Sequence, residues 1–209
     1  MQQQGKQVEQ DTLLRISGLG VTFNKTVHAV RDLTLECYKD DFIVVLGPSG
    51  AGKSTFLRSL NRLTKPTEGS VHFRGQNVTS ASGRTLRRLR QSMGMIFQQF
   101  NLVGRRSVLQ NVLAGRLCFS GGLLRRPLSW LGLFREMDQE IAFDALQRVG
   151  IQEKAYTRAD DLSGGQQQRV AIARLIAQQP AVVLADEPIA SLDPASAESV
   201  MRLLRELHL

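Results

Sequence analysis

Three short segments of the sequence carry residue types that can bind a phosphorylated ligand and act on its phosphates. The first is a glycine-rich run, residues 47–54, with a lysine and a serine at its end. The second is Ser163 followed by two glycines, and the third is an acidic pair, Asp186 and Glu187, after an apolar run. Chance rarely produces all three in this order, so we treat them as one functional set.

The glycine-rich run has the spacing of a phosphate-binding loop. It lies between residues 42–46, an apolar run predicted to be a parallel strand buried on both faces, and a helix predicted over residues 53–63. Glycines let backbone N–H groups curl around phosphate oxygens, and the helix N-terminus adds positive potential. We expect Lys53 to bridge the β- and γ-phosphates and Ser54 to hold Mg²⁺. The alternative, an ordinary turn, is disfavoured by the flanking elements. The predicted contacts are Gly47, Pro48, Ser49, Gly50, Ala51, Gly52, Lys53 and Ser54.

The acidic pair ends an apolar strand predicted over residues 181–185. Two acids without partners are costly inside a core, so their position argues for a bound cation. Asp186 would complete the Mg²⁺ shell, and Glu187 would polarise or deprotonate the water that attacks the γ-phosphate. The alternative is a strand that simply ends in a solvated acidic turn.

Ser163, Gly164 and Gly165 precede a helix predicted over residues 166–178. Ser163 could be no more than the N-cap of that helix. The two glycines also present bare N–H groups, which makes Ser163, Gly164 and Gly165 a second candidate phosphate site. We call these three residues the Ser163 corner.

The pattern along the chain predicts an α/β fold. Residues 13–46 alternate in short pieces that suit a small antiparallel sheet, and residues 99–160 suit a helical sub-lobe. We predict one domain over residues 13–209, preceded by a polar lead, residues 1–12. The other predicted strands are 71–73 and 93–97, and the other predicted helices are 84–91, 108–117, 138–149 and 194–207, with an apolar connector at 128–134.

Composition narrows the partners of the chain. The 209 residues and 42% hydrophobic content suffice for one sizeable core, and Cys37 and Cys118 have no metal-type spacing. We see neither a secretory signal nor an apolar run long enough to span a bilayer, so any membrane role must come through a partner. The net charge of +8 suits an anionic membrane face or nucleic acid. The arginine clusters lack interleaved aromatics, so we do not expect nucleic acid.

Five segments together give a family resemblance that extends from Leu13 over nearly the whole chain. The set resembles the nucleotide-binding subunit of ATP-binding cassette transporters. The resemblance implies a RecA-like P-loop NTPase core with a mainly parallel sheet, bound ATP and Mg²⁺, and two copies paired head to tail. The segments are residues 47–55, Gln98, residues 162–166, residues 184–188 and residues 191–193.

The resemblance also assigns roles to single residues. It implies that Thr55 belongs to the phosphate loop, that Ser163 to Gln166 contact the partner's nucleotide, and that Asp193 crosses the dimer interface. Phe23 matches the position where an aromatic stacks on adenine, with a core strand residue as the alternative. Gln98 would touch the Mg²⁺ site and act as a hinge towards the membrane subunit, with an ordinary surface glutamine as the alternative.

The amino-acid sequences of four segments most resemble those of the ATPase of phosphonate importers. These segments are residues 97–103, 112–117, 131–134 and 185–193. This implies a peripheral subunit on the cytoplasmic face of the membrane, with two transmembrane permease subunits and, indirectly, a solute-binding protein. Importers of polar amino acids or methionine remain alternatives. A cassette ATPase of translation or DNA repair is another, but it would carry tandem cassettes, zinc-binding cysteines or coiled coils.

The family's pattern continues past Leu209 with another buried strand and a histidine, and His208 is a poor substitute for that histidine. From this C-terminal truncation we expect an exposed apolar edge beside residues 181–185 and slow hydrolysis. A fragment that binds ATP without hydrolysing it is therefore a further alternative.

Overall fold

The computed structural model describes residues 12–119 and 134–208. Two compact units meet in sequence between Arg90 and Gln91, and each has its own internal packing.

An antiparallel sheet dominates the first unit. Its strands are β1 (Thr12–Phe23), β2 (Val27–Tyr38), β3 (Glu68–Phe73) and β4 (Gln76–Asn77), in the order β2-β1-β3-β4. Leu14 pairs with Phe73 and Ile16 with Val71, and all four side chains are buried. The alternation along β1 therefore places one face of the strand in the core, as the sequence pattern predicted.

Two helices complete the first unit, α1 (Lys53–Leu60) and α2 (Gly83–Gln91). Phe56 and Leu60 anchor α1 in the core. The helix ends three residues before the predicted end, because Asn61 caps it and Arg62 takes a left-handed backbone with φ 58°. Leu63 consequently lies exposed beyond the helix.

The second unit combines a parallel strand pair with helices. Strands β5 (Met93–Ile96) and β6 (Val182–Ala185) pair in parallel, with Ile96 opposite Ala185. The helices are α3 (Val108–Leu113), α4 (Glu136–Arg148), α5 (Gly164–Gln178) and α6 (Pro194–His208), with 3₁₀ turns at Ala114–Phe119, Gln152–Lys154 and Ala159–Asp161. Most of the predicted connector at 128–134 lies outside the described residues.

Helix α5 forms the centre of this unit. Val170, Ile172 and Ala173 on the helix are fully buried and belong to the same apolar cluster as the inner faces of α3 and α4. Gly94 of β5 lets the helix approach closely, since a Cβ atom at that position would collide with Leu175.

The predicted buried strand at residues 42–46 is wrong for this structure. These residues belong to neither sheet, and their exposure runs from 38% at Val45 to 87% at Leu46. An apolar run becomes a buried strand only when neighbouring strands accept its hydrogen bonds, and no described strand pairs with it. The parallel sheet of the described residues is accordingly limited to β5 and β6, with Val183 on β6 44% exposed.

Within residues 12–119 and 134–208, no helix has the length and apolar character that crossing a bilayer requires.

A buried ion pair joins three elements of the second unit. Arg116 and Asp138 are 6% and 8% exposed, and Arg116 Nε donates to Asp138 Oδ1 at 2.9 Å. Arg116 Nη1 also donates to the carbonyl oxygen of Ala177 at 3.0 Å, and the guanidinium lies over the Phe119 ring. Removing one partner would leave a buried charge without its counterion.

We therefore expect Asp138→Ala to lower the free energy of unfolding by about 3 kcal/mol, measured by denaturant titration. The control is Glu198→Ala, which removes an exposed ion pair with Arg202 on α6 and should cost less than about 0.5 kcal/mol. Equal effects of the two substitutions would contradict a stabilising role for the buried pair.

Candidate active site

Glycine is required at position 52 of the glycine-rich loop for two separate reasons. Gly52 has φ 88°, a left-handed conformation that residues with a Cβ atom rarely adopt. A Cβ atom there would also collide with the carbonyl oxygen of Ala29 on β2. Gly50 has a similar φ, 82°, but open space around it.

The loop concentrates positive charge and amide donors at the start of α1. Lys53 Nζ donates to the carbonyl oxygens of Gly47 and Pro48, both at 2.9 Å, so its ammonium curls back over the exposed loop. No side-chain hydrogen bond caps the helix at Gly52, and the first-turn N–H groups of a helix have no acceptor within the helix itself. Ser54 and Thr55 are half-buried in that turn. An ammonium group beside a helix N-terminus suits phosphate, so these residues fit the predicted ligand.

Phe23 ends β1 and pairs with Val27 at the start of β2. Phe23 is 44% exposed, so the alternative interpretation of Phe23 as a core strand residue does not hold. Ala29, which approaches Gly52, lies on the same hairpin.

The strand pairing brings Gln98 and the acids to one edge. Because β5 and β6 are parallel and in register, Gln98 and Asp186 both follow strand ends on the same side. The Asp186 N–H donates to the carbonyl oxygen of Ile96 at 3.0 Å, and the Asp186 side chain is only 1% exposed. Gln98 is exposed and Glu187 half-buried.

These donors fit a magnesium ion. Carboxylate and amide oxygens are hard ligands, and Mg²⁺ usually takes one or two carboxylates together with phosphate oxygens and water. Within the described ranges no group of three His, Cys, Asp or Glu side chains forms a closed metal cage. Asp186 and Gln98 thus carry side-chain oxygen atoms of the type that Mg²⁺ prefers.

Glu187 has an unusual backbone, with φ 47°. Left-handed geometry is strained for a residue with a Cβ atom, and such strain often occurs at functional positions. The carbonyl oxygen of Glu187 accepts from the Ala190 N–H at 3.2 Å, which starts the turn after the strand.

Ser163 is an N-cap, and its corner is also exposed. Ser163 Oγ accepts from the Gln166 N–H, and Gln166 Oε1 accepts from the Ser163 N–H, which is a complete capping box. That box leaves the amides of Gly164 and Gly165 without an intrahelical acceptor. Ser163 and Gly164 are exposed. A Cβ atom at 164 would find only ordinary contacts, whereas one at 165 would press on Ser196.

Asp193 caps the neighbouring helix α6. Its Oδ1 accepts from the Ser196 N–H at 3.0 Å, and the bonds to Ser196 hold the pKa of the Asp193 carboxyl below its ordinary value. The side chain is exposed next to Leu192, which faces Gly164.

Two residues that hold the segment after Gln98 escaped the sequence analysis. Arg174 on α5 donates to the carbonyl oxygens of Phe100 and Asn101 at 3.0 and 2.6 Å, and burial lowers its pKa. Asn111 on α3 receives the Val103 N–H at 2.7 Å and is 2% exposed. In the sequence, Arg174 and Asn111 are polar residues within otherwise apolar helical patterns, and that pattern could have indicated their buried structural roles.

Comparison with known proteins decides the family. The family model described as ABC transporter matches residues 30–190. The chain belongs to the ABC transporter family. It is therefore an ABC-type ATPase cassette, and the P-loop fold and ATPase activity that the sequence suggested are confirmed at this level.

Close relatives include phosphonates import ATP-binding proteins. PhnC 2 of Halalkalibacterium halodurans is 48% identical over 195 residues, which cover 93% of this chain and 78% of that protein. PhnC of Bacillus anthracis is 52% identical over 179 residues, 86% of this chain and 68% of that protein.

Solved cassettes share the fold. The dimeric ATP-binding cassette MJ0796, bound to ADP and Pi, has a TM-score of 0.78 at 32% identity, over 93% of this chain and 82% of that one. CbiO1 of Clostridium perfringens, part of the ABC transporter complex cbiONQ, has a TM-score of 0.78 at 29% identity, over 95% of this chain and 74% of that one.

The loop geometry predicts unequal costs for two glycine substitutions. Both Gly50→Ala and Gly52→Ala place a Cβ atom at positive φ, with a strain of about 1–2 kcal/mol. Gly52→Ala should lower the free energy of unfolding by about 1–3 kcal/mol more, because it also collides with Ala29. Denaturant unfolding of both variants checks this difference. Equal stabilities would mean that the approach of Gly52 to β2 does not constrain the loop.

Proposed function

We propose that the chain is the ATP-binding and ATP-hydrolysing subunit of a membrane importer of phosphonates. One observation supports this most strongly: a lysine-bearing phosphate loop and a separate, exposed Ser163 corner occur in one chain whose relatives at 48–52% identity are phosphonates import ATP-binding proteins. The charge of the chain, +8, suits work beside an anionic membrane face.

The loop residues would bind the triphosphate of ATP. Lys53 exchanges its bonds to the Gly47 and Pro48 carbonyl oxygens for phosphate oxygens, and the first-turn amides of α1 donate to the same group. Ser54 binds Mg²⁺, and the exposed ring of Phe23 stacks on the adenine. The remaining contacts come from Ser49, Gly50, Ala51, Gly52 and Thr55.

The edge formed by β5 and β6 would supply the hydrolytic residues. Bound Mg-ATP brings the phosphoanhydride that is cleaved and the charge that polarises it. Asp186 and Gln98 supply oxygen ligands toward Mg²⁺, and Glu187 accepts a proton from the attacking water. Gln98 also begins a segment that Arg174 holds, so we assign it the hinge role towards the membrane subunit.

The Ser163 corner would bind the nucleotide of a second copy. Gly164 and Gly165 offer amide donors that their own helix cannot use, and Ser163 adds a hydroxyl. Gln166 fixes the conformation of the Ser163 corner through the capping box. Asp193 lies beside this corner at the proposed interface. The dimeric cassette MJ0796 supports the pairing. A homodimer of this kind would bind two transmembrane permease subunits at the cytoplasmic face, with a solute-binding protein as indirect partner.

Glu187→Gln tests this assignment. The amide keeps the shape of the side chain but cannot take the proton, so ATP should stay trapped and hold two copies together. We expect gel filtration with ATP and Mg²⁺ to show a dimer, and without ATP a monomer.

The control combines Glu187→Gln with Lys53→Ala, which should remain monomeric with ATP because the loop has lost its ammonium group. A folded Glu187→Gln protein that stays monomeric at saturating ATP would count against the proposed function.

A further inference from the structure

Gln168 is a buried amide with one identified hydrogen bond. It lies on α5 and has no exposed surface. Its Nε2 donates to the carbonyl oxygen of Pro188 at 2.7 Å. Its Oε1 is buried and has no hydrogen-bond partner within the described part of the chain.

The bond has a direction that an amide flip cannot reverse. Turning the amide would bring Oε1 against the Pro188 carbonyl oxygen, and two acceptors do not bond. A buried amide with an unused oxygen is also less favourable than an apolar side chain of the same volume. Volume filling alone would thus favour Met or Leu at this position, so the contribution specific to glutamine is its Nε2 donor.

Pro188 directly follows Glu187, whose backbone is left-handed with φ 47°. The strained residue lies between two fixed points. On one side the Asp186 N–H donates to Ile96, and on the other side Gln168 holds the Pro188 carbonyl oxygen. A strained backbone persists only where its surroundings hold it, and these two bonds flank Glu187, whose own carbonyl oxygen accepts from the Ala190 N–H.

We propose that Gln168 is a positioning residue for Glu187. Its bond to Pro188 keeps the backbone of Glu187 in the left-handed conformation and so directs the carboxylate. Because Gln168 lies on the helix that begins at the Ser163 corner, the same bond links that corner to the acid of its own chain. This inference rests on the proposed role of Glu187 as the base.

The test is Gln168→Met, which preserves volume and removes the donor. We expect kcat for ATP hydrolysis by the full chain to fall at least about tenfold, since misplaced catalytic groups lose rate steeply. The KM for ATP should stay within about twofold and the melting temperature should not fall, because the phosphate loop is untouched and a buried unused oxygen is gone. Gln168→Leu repeats the test with a second apolar side chain.

Gln178→Met is the matched control. Gln178 lies on the same helix and its Nε2 donates to the carbonyl oxygen of Gln91 at 3.0 Å, so the control also removes an amide donor to a backbone oxygen. It lies at the far end of α5 from the Ser163 corner, and kcat should stay within about twofold of the wild-type value.

Hydrogen exchange without nucleotide gives a second readout that does not depend on activity. The amides of Ala190 and Leu192, which donate to Glu187 and Ile189, should exchange at least about fivefold faster in Gln168→Met, while those of β5 stay unchanged. Unchanged exchange and kcat would overturn the proposal, as would losses of the same size in Gln178→Met. If the wild-type chain neither bound nor hydrolysed ATP, the proposed function would fail, and the exchange rates would still decide whether Gln168 holds this turn.

Discussion

The burial of helix α5 is the constraint on which the second unit depends. Its body packs against α3, α4 and β5 and exposes only its N-terminal corner at Ser163 and Gly164. Gln168 on this helix contacts the turn after β6, and Arg174 holds the segment after Gln98. One helix therefore connects the Ser163 corner to the segments that follow both strands.

In the first unit, the main constraint concerns the conformation of the phosphate-binding loop. The ammonium group of Lys53 donates to two carbonyl oxygens of the loop, and no side chain caps the helix that follows it. Gly52 lies against the Ala29 carbonyl group, so the antiparallel sheet supports the loop at this position. The first unit carries the loop with Lys53, and the second carries the acidic pair and the exposed corner at Ser163.

Sequence patterns predicted the features that depend on residues adjacent in sequence. They missed the features that depend on contacts between residues distant in sequence. The alternation in β1, the capping signal at Ser163 and the strand before Asp186 all appeared where expected, within one or two residues at most ends. Residues 42–46 have the composition of a buried strand but lack a described strand to pair with, and composition cannot show that. Gln168 looked like one glutamine among three, because its role arises from Pro188, which is distant in sequence.

The central claim is that one nucleotide is held by two copies of the chain. The most direct test places two substitutions either on different protomers or on the same protomer, with Glu187→Gln present in both protomers. Lys53→Ala disables the loop, and Gly164→Asp disables the corner with a negative charge, while its Cβ atom meets only ordinary contacts with Leu192 and Phe100. With one substitution in each protomer, a head-to-tail pair keeps one intact site, so a tagged Lys53→Ala protomer should capture the Gly164→Asp protomer when ATP is present. With both in one protomer and neither in its partner, no intact site remains and capture should fail. The reverse pattern would show that each chain holds its nucleotide alone, and would contradict the account.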